Sequence, residues 1–474
     1  MPRASSHLTL MREDDDPVAR TGTAPSARPR HRRPDVDGHG VHRATHRGTM
    51  PGRHELEGRL LGLVADLVDA PEHASGVVAT GVDDAAVAVL RGARDAVVGP
   101  DGGDAGPSSV VLPRSAHPAY FAAALTVGLT PIVVAVDDEG RADLGALTAA
   151  VRADTVLIVA SAPSYTHGLV DPVAWIAAAA QARGVPLHVD ATCGGWAMAH
   201  AARTGQLGTL WGFAIRGVAS VAIDVGPDGR DDTDLVAVLH RDPAGARALT
   251  VSTPTRGPLA LPTAWARPSA LLEDTVDTLG ALGATGWADL AAAALAATRT
   301  VVDGLAGLPG VRLAARPEAT VVSLVADGTC DVFTLSDALH ALGWTAHPVL
   351  PDDGEPLLRV PVTAAVLPRV DGLLAALADA VAEAQARGPA RVEGTLERLL
   401  PRFEAPVGGY SADLLLEAAA TADGPERRAS THVLLAAAGG GVRESLLAVH
   451  RQRLARPVRA ASGQPATAST VGSE

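Results

Sequence analysis

Between residues 110 and 190 the chain repeats one pattern, a short β-branched run followed by a helical run. Val110 to Leu112, Pro131 to Val136, Thr155 to Ser161 and Pro186 to Asp190 read as strands. Pro118 to Val127, Leu144 to Arg152 and Pro172 to Arg183 carry apolar residues at helical spacing between them. Strands that are apolar throughout need cover on both faces, and strand–helix–strand repeats supply it. The expected fold is therefore α/β, with a mainly parallel sheet and helices on both sides.

Before this block, Glu55 to Val68 predicts a helix whose Leu56, Leu60, Leu63, Val64 and Leu67 share a face. Gly76 to Gly81 reads as a strand and turn, and Asp83 to Ala96 as a helix. After about residue 262 the texture changes. A helix at Trp287 to Leu308 is followed by short strands at Val311 to Leu313, Thr320 to Val325 and Leu357 to Val362, and by helices at Thr334 to Leu342 and Val370 to Arg387. The expected organisation is a tail over 1–50, a large α/β domain over 51–261, a smaller α+β domain over 262–388 and an extension over 389–474 with patches such as Glu444 to Arg453. The first 50 residues are rich in Pro, Gly, His, Arg and Asp without apolar periodicity, which predicts disorder; Met50 would then be a natural start.

The net charge of −13 opposes a nucleic-acid partner for the folded part. No uninterrupted apolar run reaches the roughly 18 residues of a spanning helix, and no secretory leader is evident, so a cytoplasmic location is expected. Cys193 and Cys330 are too few for a disulfide framework and too far apart for a metal site. All 40 basic residues are arginine; the chain has no lysine. Chemistry that needs a side-chain amine is excluded, except through the N-terminus or a second chain.

Open α/β sheets bind ligands where the carboxyl ends of the strands meet, and three segments fall there. In His188-Val189-Asp190-Ala191, the aspartate either caps the next turn or faces the crevice, where it can pair with a protonated ring nitrogen. In Pro113-Arg114-Ser115-Ala116-His117-Pro118, the histidine either caps the next helix or stacks on a flat ring. Ser161-Ala162-Pro163-Ser164-Tyr165-Thr166-His167-Gly168 is a polar loop leaving a strand.

In order and spacing these segments resemble the group II decarboxylases that depend on pyridoxal 5′-phosphate (PLP), in particular their sphingosine-phosphate-lyase-like branch. The resemblance runs from about Glu55 to Val366. It implies the fold type I architecture of PLP-dependent transferases, with a smaller C-terminal α+β domain, and PLP as cofactor. It puts Asp190 on the pyridine nitrogen, His117 on the ring face and Ser164 in the lining loop. It puts Thr80 and Gly81 in the turn that cradles the phosphate. It also implies a dimer, and relatives carry a longer structured segment before the first helix.

Two places depart from the family pattern. Val221-Ala222-Ile223-Asp224 and Val236 to Asp242 match the strands around the family's Asp-x-His-Lys, with the intervening length kept, yet Gly226-Pro227 stands where His-Lys would be. Proline has neither an amine nor an N–H, so it cannot form the Schiff base that anchors PLP. In the phosphate turn, Thr80-Gly81-Val82-Asp83-Asp84, Asp83 replaces the family's threonine; a carboxylate at a helix start takes the place of an anion there. Arg256 lies near a family segment that often carries an active-site arginine, or is simply a surface residue. The resulting expectation is a pseudoenzyme that keeps the fold and pairs with itself or with an active relative. One alternative is an active carboxy-lyase or aldehyde-lyase for an amino acid or phosphorylated amine, with PLP held non-covalently. A second is a binding protein for another ligand in the old crevice.

Overall fold

The computed structural model describes residues 53–98, 108–205, 209–226, 235–243, 269–350, 354–391 and 428–454, with isolated positions at 245 and between 411 and 419. Pro227 and Arg256 lie outside the described residues.

A seven-stranded sheet forms the larger core, built from β1 (Ser75–Ala79), β2 (Ser109–Pro113), β3 (Thr130–Val134), β4 (Thr155–Ser161), β5 (Leu187–Ala191), β6 (Val218–Asp224) and β7 (Val236–His240). Their order is β1-β7-β6-β5-β4-β2-β3. The five strands from β3 to β6 are parallel, whereas β7 pairs antiparallel with both β6 and β1. β1 therefore points the same way as β6, and the carboxyl ends of β1, β2, β4, β5 and β6 share one edge.

Residues on the central strands alternate between two cores, as a sheet covered on both sides requires. Ile158, Ala160, Val189, Ala191, Val221 and Ile223 belong to one core, reached by α1 (Arg53–Leu67), α5 (Val173–Arg183) and α6 (Gly195–Arg203). Leu157, Val159, Ala222, Val236 and Val238 belong to the other, closed by α2 (Gly81–Val98) and α3 (Pro118–Thr126). The short α4 (Leu144–Ala150) starts on Asp143, whose side chain accepts from Ala146 N at 2.8 Å.

The helix expected from Trp287 begins much earlier. It is α7 (Ser269–Leu305), kinked at Gly283 (φ 59°, ψ 179°). Its first half, through Ala291, packs in the large core and its second half, from Ala297, in the smaller one. By length and composition its stretch Leu271–Leu305 is apolar enough to cross a membrane; here it packs against α1 and α6.

The smaller core surrounds an antiparallel four-stranded sheet, ordered β10-β11-β9-β8, from β8 (Val311–Leu313), β9 (Val321–Ala326), β10 (His347–Val349) and β11 (Leu357–Pro361). It is covered by α8 (Val332–Ala341) and α9 (Val370–Arg387). Asp331 caps α8 by accepting from Phe333 N and Thr334 N, each at 2.8 Å. Further along, α10 (Ala429–Ala437) and α11 (Gly440–Leu454) share a small apolar cluster.

The candidate crevice and its relatives

Asp190 is the fourth residue of β5 and is 1% exposed. Its register partner on β4 is Ser161 and on β6 is Ala222. Paired residues of neighbouring strands project to the same face, so Asp190 lies on the side that α2 and α3 cover. Its Oδ1 accepts from Thr192 N (3.1 Å) and Thr192 Oγ1 (2.7 Å). Its Oδ2 is buried and has no hydrogen-bond partner. The turn-capping reading is thus realised through Oδ1, while Oδ2 is left unused. Burial, aided by the like charge of Asp171 and opposed by the Thr192 bonds, pushes its pKa up to about 6.

Two residues earlier, His188 is fully buried and bonds both ways. Its Nε2 lies 2.7 Å from Tyr120 Oη, and its Nδ1 lies 2.8 Å from Ser220 Oγ. Burial holds its pKa down at about 3, so it is a neutral imidazole. The Tyr120 contact seats α3 over β5. His117 stands one turn before Tyr120 along α3, toward the same edge that Asp190 approaches along β5. His117 is the N-cap of α3, its Nδ1 accepting from Ala119 N at 3.1 Å. Its ring also meets Tyr165 edge-to-face at a centroid distance of 4.7 Å. The capping reading of His117 is therefore realised, and its aromatic neighbour is a side chain of the chain itself.

The loop after β4 closes on itself. Ser164 is fully buried; its N–H donates to Leu169 O at 2.7 Å and its Oγ accepts from Leu169 N at 3.3 Å. Its hydroxyl thus shapes the loop. Asp171 braces the same region, accepting from Ala142 N and Ser161 N, each at 2.8 Å.

Sequence reasoning missed three participants. Arg359, in the middle of β11 and 1% exposed, donates from Nε to Tyr165 O at 2.9 Å and sits over the Tyr165 ring at 4.5 Å. Its signal was a lone charge inside an apolar strand. Ser161 and Ser115 each hold a buried hydroxyl without a partner, and nothing in their sequence context distinguishes them from serines that simply fill space.

At the far side of the edge, Thr80 is exposed and Gly81 opens α2 at φ 76°. Asp83 and Asp84 occupy the first turn of that helix. The strands around the missing His-Lys are formed as the pattern demands, with Asp224 opposite Val236.

The family model for class-V aminotransferases matches residues 41–200. A sphingosine-1-phosphate lyase of Arabidopsis thaliana is 25% identical over 349 residues, 72% of this chain and 63% of that protein. A probable L-tyrosine/L-aspartate decarboxylase of Methanothermobacter thermautotrophicus is 27% identical over 298 residues, 63% of this chain and 80% of that one. Among solved structures, the sphingosine-1-phosphate lyase of Burkholderia pseudomallei superposes with a TM-score of 0.63 at 22% identity, covering 71% of this chain and 78% of its own. The glutamate decarboxylase of Lactobacillus brevis gives 0.62 at 18%, covering 72% and 82%. The chain spans under two-thirds of the length of the Arabidopsis lyase.

PLP is the cofactor of the family these relatives represent, and the residues present suit it at one end only. The orphaned Oδ2 of Asp190 suits a protonated ring nitrogen. The helix start that would face a phosphate carries Asp83 and Asp84, and no lysine exists anywhere in the chain to hold the aldehyde. The residues present therefore do not fit the group as a covalently anchored, phosphate-clamped cofactor. In sequence the chain is similar to sphingosine-1-phosphate lyases and probable tyrosine/aspartate decarboxylases, and its fold is that of the group II PLP-dependent decarboxylases.

Proposed function

We propose that this protein is a pseudoenzyme of the PLP-dependent lyase and decarboxylase family. It keeps the fold and the carboxylate for a ring nitrogen but not the chemistry. The observation that carries this reading is the absence of lysine from all 474 residues. An amine side chain is the group that bonds the cofactor's aldehyde and exchanges it for a substrate amine. Arginine cannot replace it, because a guanidinium stays protonated at any physiological pH. The acidic first turn of α2 supports the same reading independently, since it concerns the opposite end of the cofactor. In this reading the protein acts in the cytoplasm through its fold, as a homodimer or as a silent partner of a lysine-bearing relative.

The test is direct. Purified full-length protein is mixed with PLP, scanned between about 330 and 430 nm, reduced with borohydride and analysed by intact mass. The expected result is the spectrum of free PLP and an unmodified mass. A stable absorption band with cofactor mass retained on a side chain would overturn the proposal.

A second reading, a binding protein for a different ligand in the same crevice, is favoured by one specific feature. A buried carboxylate oxygen without a partner costs stability, and a ligand that pairs with it removes that cost.

A further inference from the structure

We propose that the crevice at Asp190 takes a protonated nitrogen heterocycle that carries no phosphate. This rests on the reading that the chain forms no covalent bond with PLP, and it names the ligand class the crevice then selects.

The polar floor argues for the heterocycle. Asp190 Oδ2, Ser161 Oγ and Ser115 Oγ are all buried and without partners; the three residues are 1%, 0% and 1% exposed. Asp190 and Ser161 are register partners on β5 and β4, and Ser115 follows β2, the next strand over. Asp190 and Ser161, on strands about 4.8 Å apart, project to the same face of the sheet, and Ser115 follows the end of the next strand. Oδ2 is an acceptor bearing charge, and the charge-assisted hydrogen bond it lacks is one from a cationic N–H. No arginine bonds to Asp190 among the described residues; its protein partner is Thr192. His117 and Tyr165 supply flat aromatic surface at the same edge.

The acidic helix start argues against the phosphate. The amino end of an α-helix attracts anions through its free N–H groups and its dipole. α2 begins at the crevice edge and runs over the face that carries Asp190, packing on β1, β7, β6 and β4. Asp83 and Asp84 already place two carboxylates in its first turn. A phosphate brought there meets the exposed carboxylate of Asp83 in the same first turn. A ligand with a positive ring and no anionic arm meets favourable charge at both places.

A matched pair of probes without an aldehyde tests this, namely pyridoxamine and pyridoxamine 5′-phosphate. Equilibrium dialysis at pH 7 with the full-length protein is expected to show pyridoxamine bound at least tenfold more tightly. Asp190→Asn should weaken pyridoxamine at least tenfold without lowering the melting temperature. The double variant Asp83→Thr, Asp84→Ser, at a helix start with exposed Asp83, should tighten the phosphate form at least tenfold and leave pyridoxamine unchanged. Equal or tighter binding of the phosphate form by the native protein, no binding of either probe, or pyridoxamine binding indifferent to Asp190→Asn would each overturn the proposal. The outcomes separate it from the reading beneath it. Phosphate preference without a borohydride-trapped adduct defeats this inference alone, whereas a trapped adduct defeats the pseudoenzyme.

Discussion

Tyr120 Oη lies 2.7 Å from His188 Nε2, and this one bond ties helix α3 to the central strand of the sheet. Both side chains are fully buried, and His188 passes the connection on to Ser220 Oγ at 2.8 Å. Tyr120→Phe keeps the ring and removes the hydroxyl. It should leave a buried imidazole nitrogen unpaired and cost about 1–3 kcal/mol. Urea denaturation at pH 7 measures this as a lower midpoint with an unchanged slope. A stability equal to wild type would show that the bond contributes nothing.

Asp190 carries a pH prediction. Its folded pKa, about 6, lies above the ordinary aspartate value of 3.8 because it is buried. Between these values the folded state holds a proton that the unfolded chain has released, so Asp190 subtracts stability as pH rises through that window. Asp171, also pushed to about 6 by burial, has the same sign. His188 and His240, pushed down to about 3 and about 4, have the opposite sign. They add stability as pH rises toward 6.5, because the unfolded chain binds the proton that the folded one refuses. Asp190→Asn removes one of the falling contributions. The gain in stability from pH 4 to pH 7 should therefore be larger in the variant than in wild type, by up to about 3 kcal/mol for two pKa units. Denaturation midpoints across that range check it, and an identical pH profile would refute it.

The parts of this molecule that could be read from sequence are those where one residue's neighbours along the chain decide its state. β4 at Thr155–Ser161, β8 at Val311–Leu313 and α9 at Val370–Arg387 fall where the apolar patterning put them. The first half of α7 did not announce itself, because Gly280, Gly283 and Gly286 read as helix breakers; Gly283 does break the regular helix, yet packing of Leu272, Val276 and Leu279 into the large core holds the segment helical. α6 was missed because it starts on Gly194-Gly195 and all but its last two residues are buried, which leaves no polar face to mark a period. At the crevice, Asp190 and His117 were legible through motif order. Ser161, Ser115 and Arg359 were not, since their roles depend on which strands lie side by side, a property of the assembled sheets.

Gly194 illustrates such a long-range constraint. It precedes α6 at φ 102°, in the left-handed region, and a Cβ there would stand 2.4 Å from Thr320 Oγ1. Thr320 immediately precedes β9 of the smaller sheet, so the glycine lets the two cores approach. Gly194→Ala should cost more than the ~1 kcal/mol of backbone strain alone, with about 1–3 kcal/mol added by overpacking. Thr320→Ala in the same chain should recover the overpacking part and leave the strain. A double-mutant cycle on melting temperature measures the coupling, and strictly additive effects would show that the two residues do not meet.

Arg359 ties the smaller sheet to the crevice loop. Its Nε donates to Tyr165 O, its guanidinium covers the Tyr165 ring, and nearby Ser323 Oγ donates to Thr166 O. Glu318 adds a further tie, donating from N to Gly168 O at 3.0 Å and accepting from Arg141 at 2.6 Å and from Val170 N at 2.8 Å. Lysine would keep the charge of Arg359 but not the planar stack or the directed Nε–H. Arg359→Lys should therefore destabilise the chain by about 2 kcal/mol, combining a lost buried hydrogen bond and a lost cation–π contact. The loss should be local as well as global, because Tyr165 is the ring that packs on His117. Hydrogen exchange followed by peptide mass analysis should show the segment 162–170 exchanging faster in the variant, while α9 on the opposite side of the small sheet keeps its protection. Uniform acceleration across both segments would mean that Arg359 supports the fold as a whole, and unchanged exchange in 162–170 would mean that it does not hold the crevice loop.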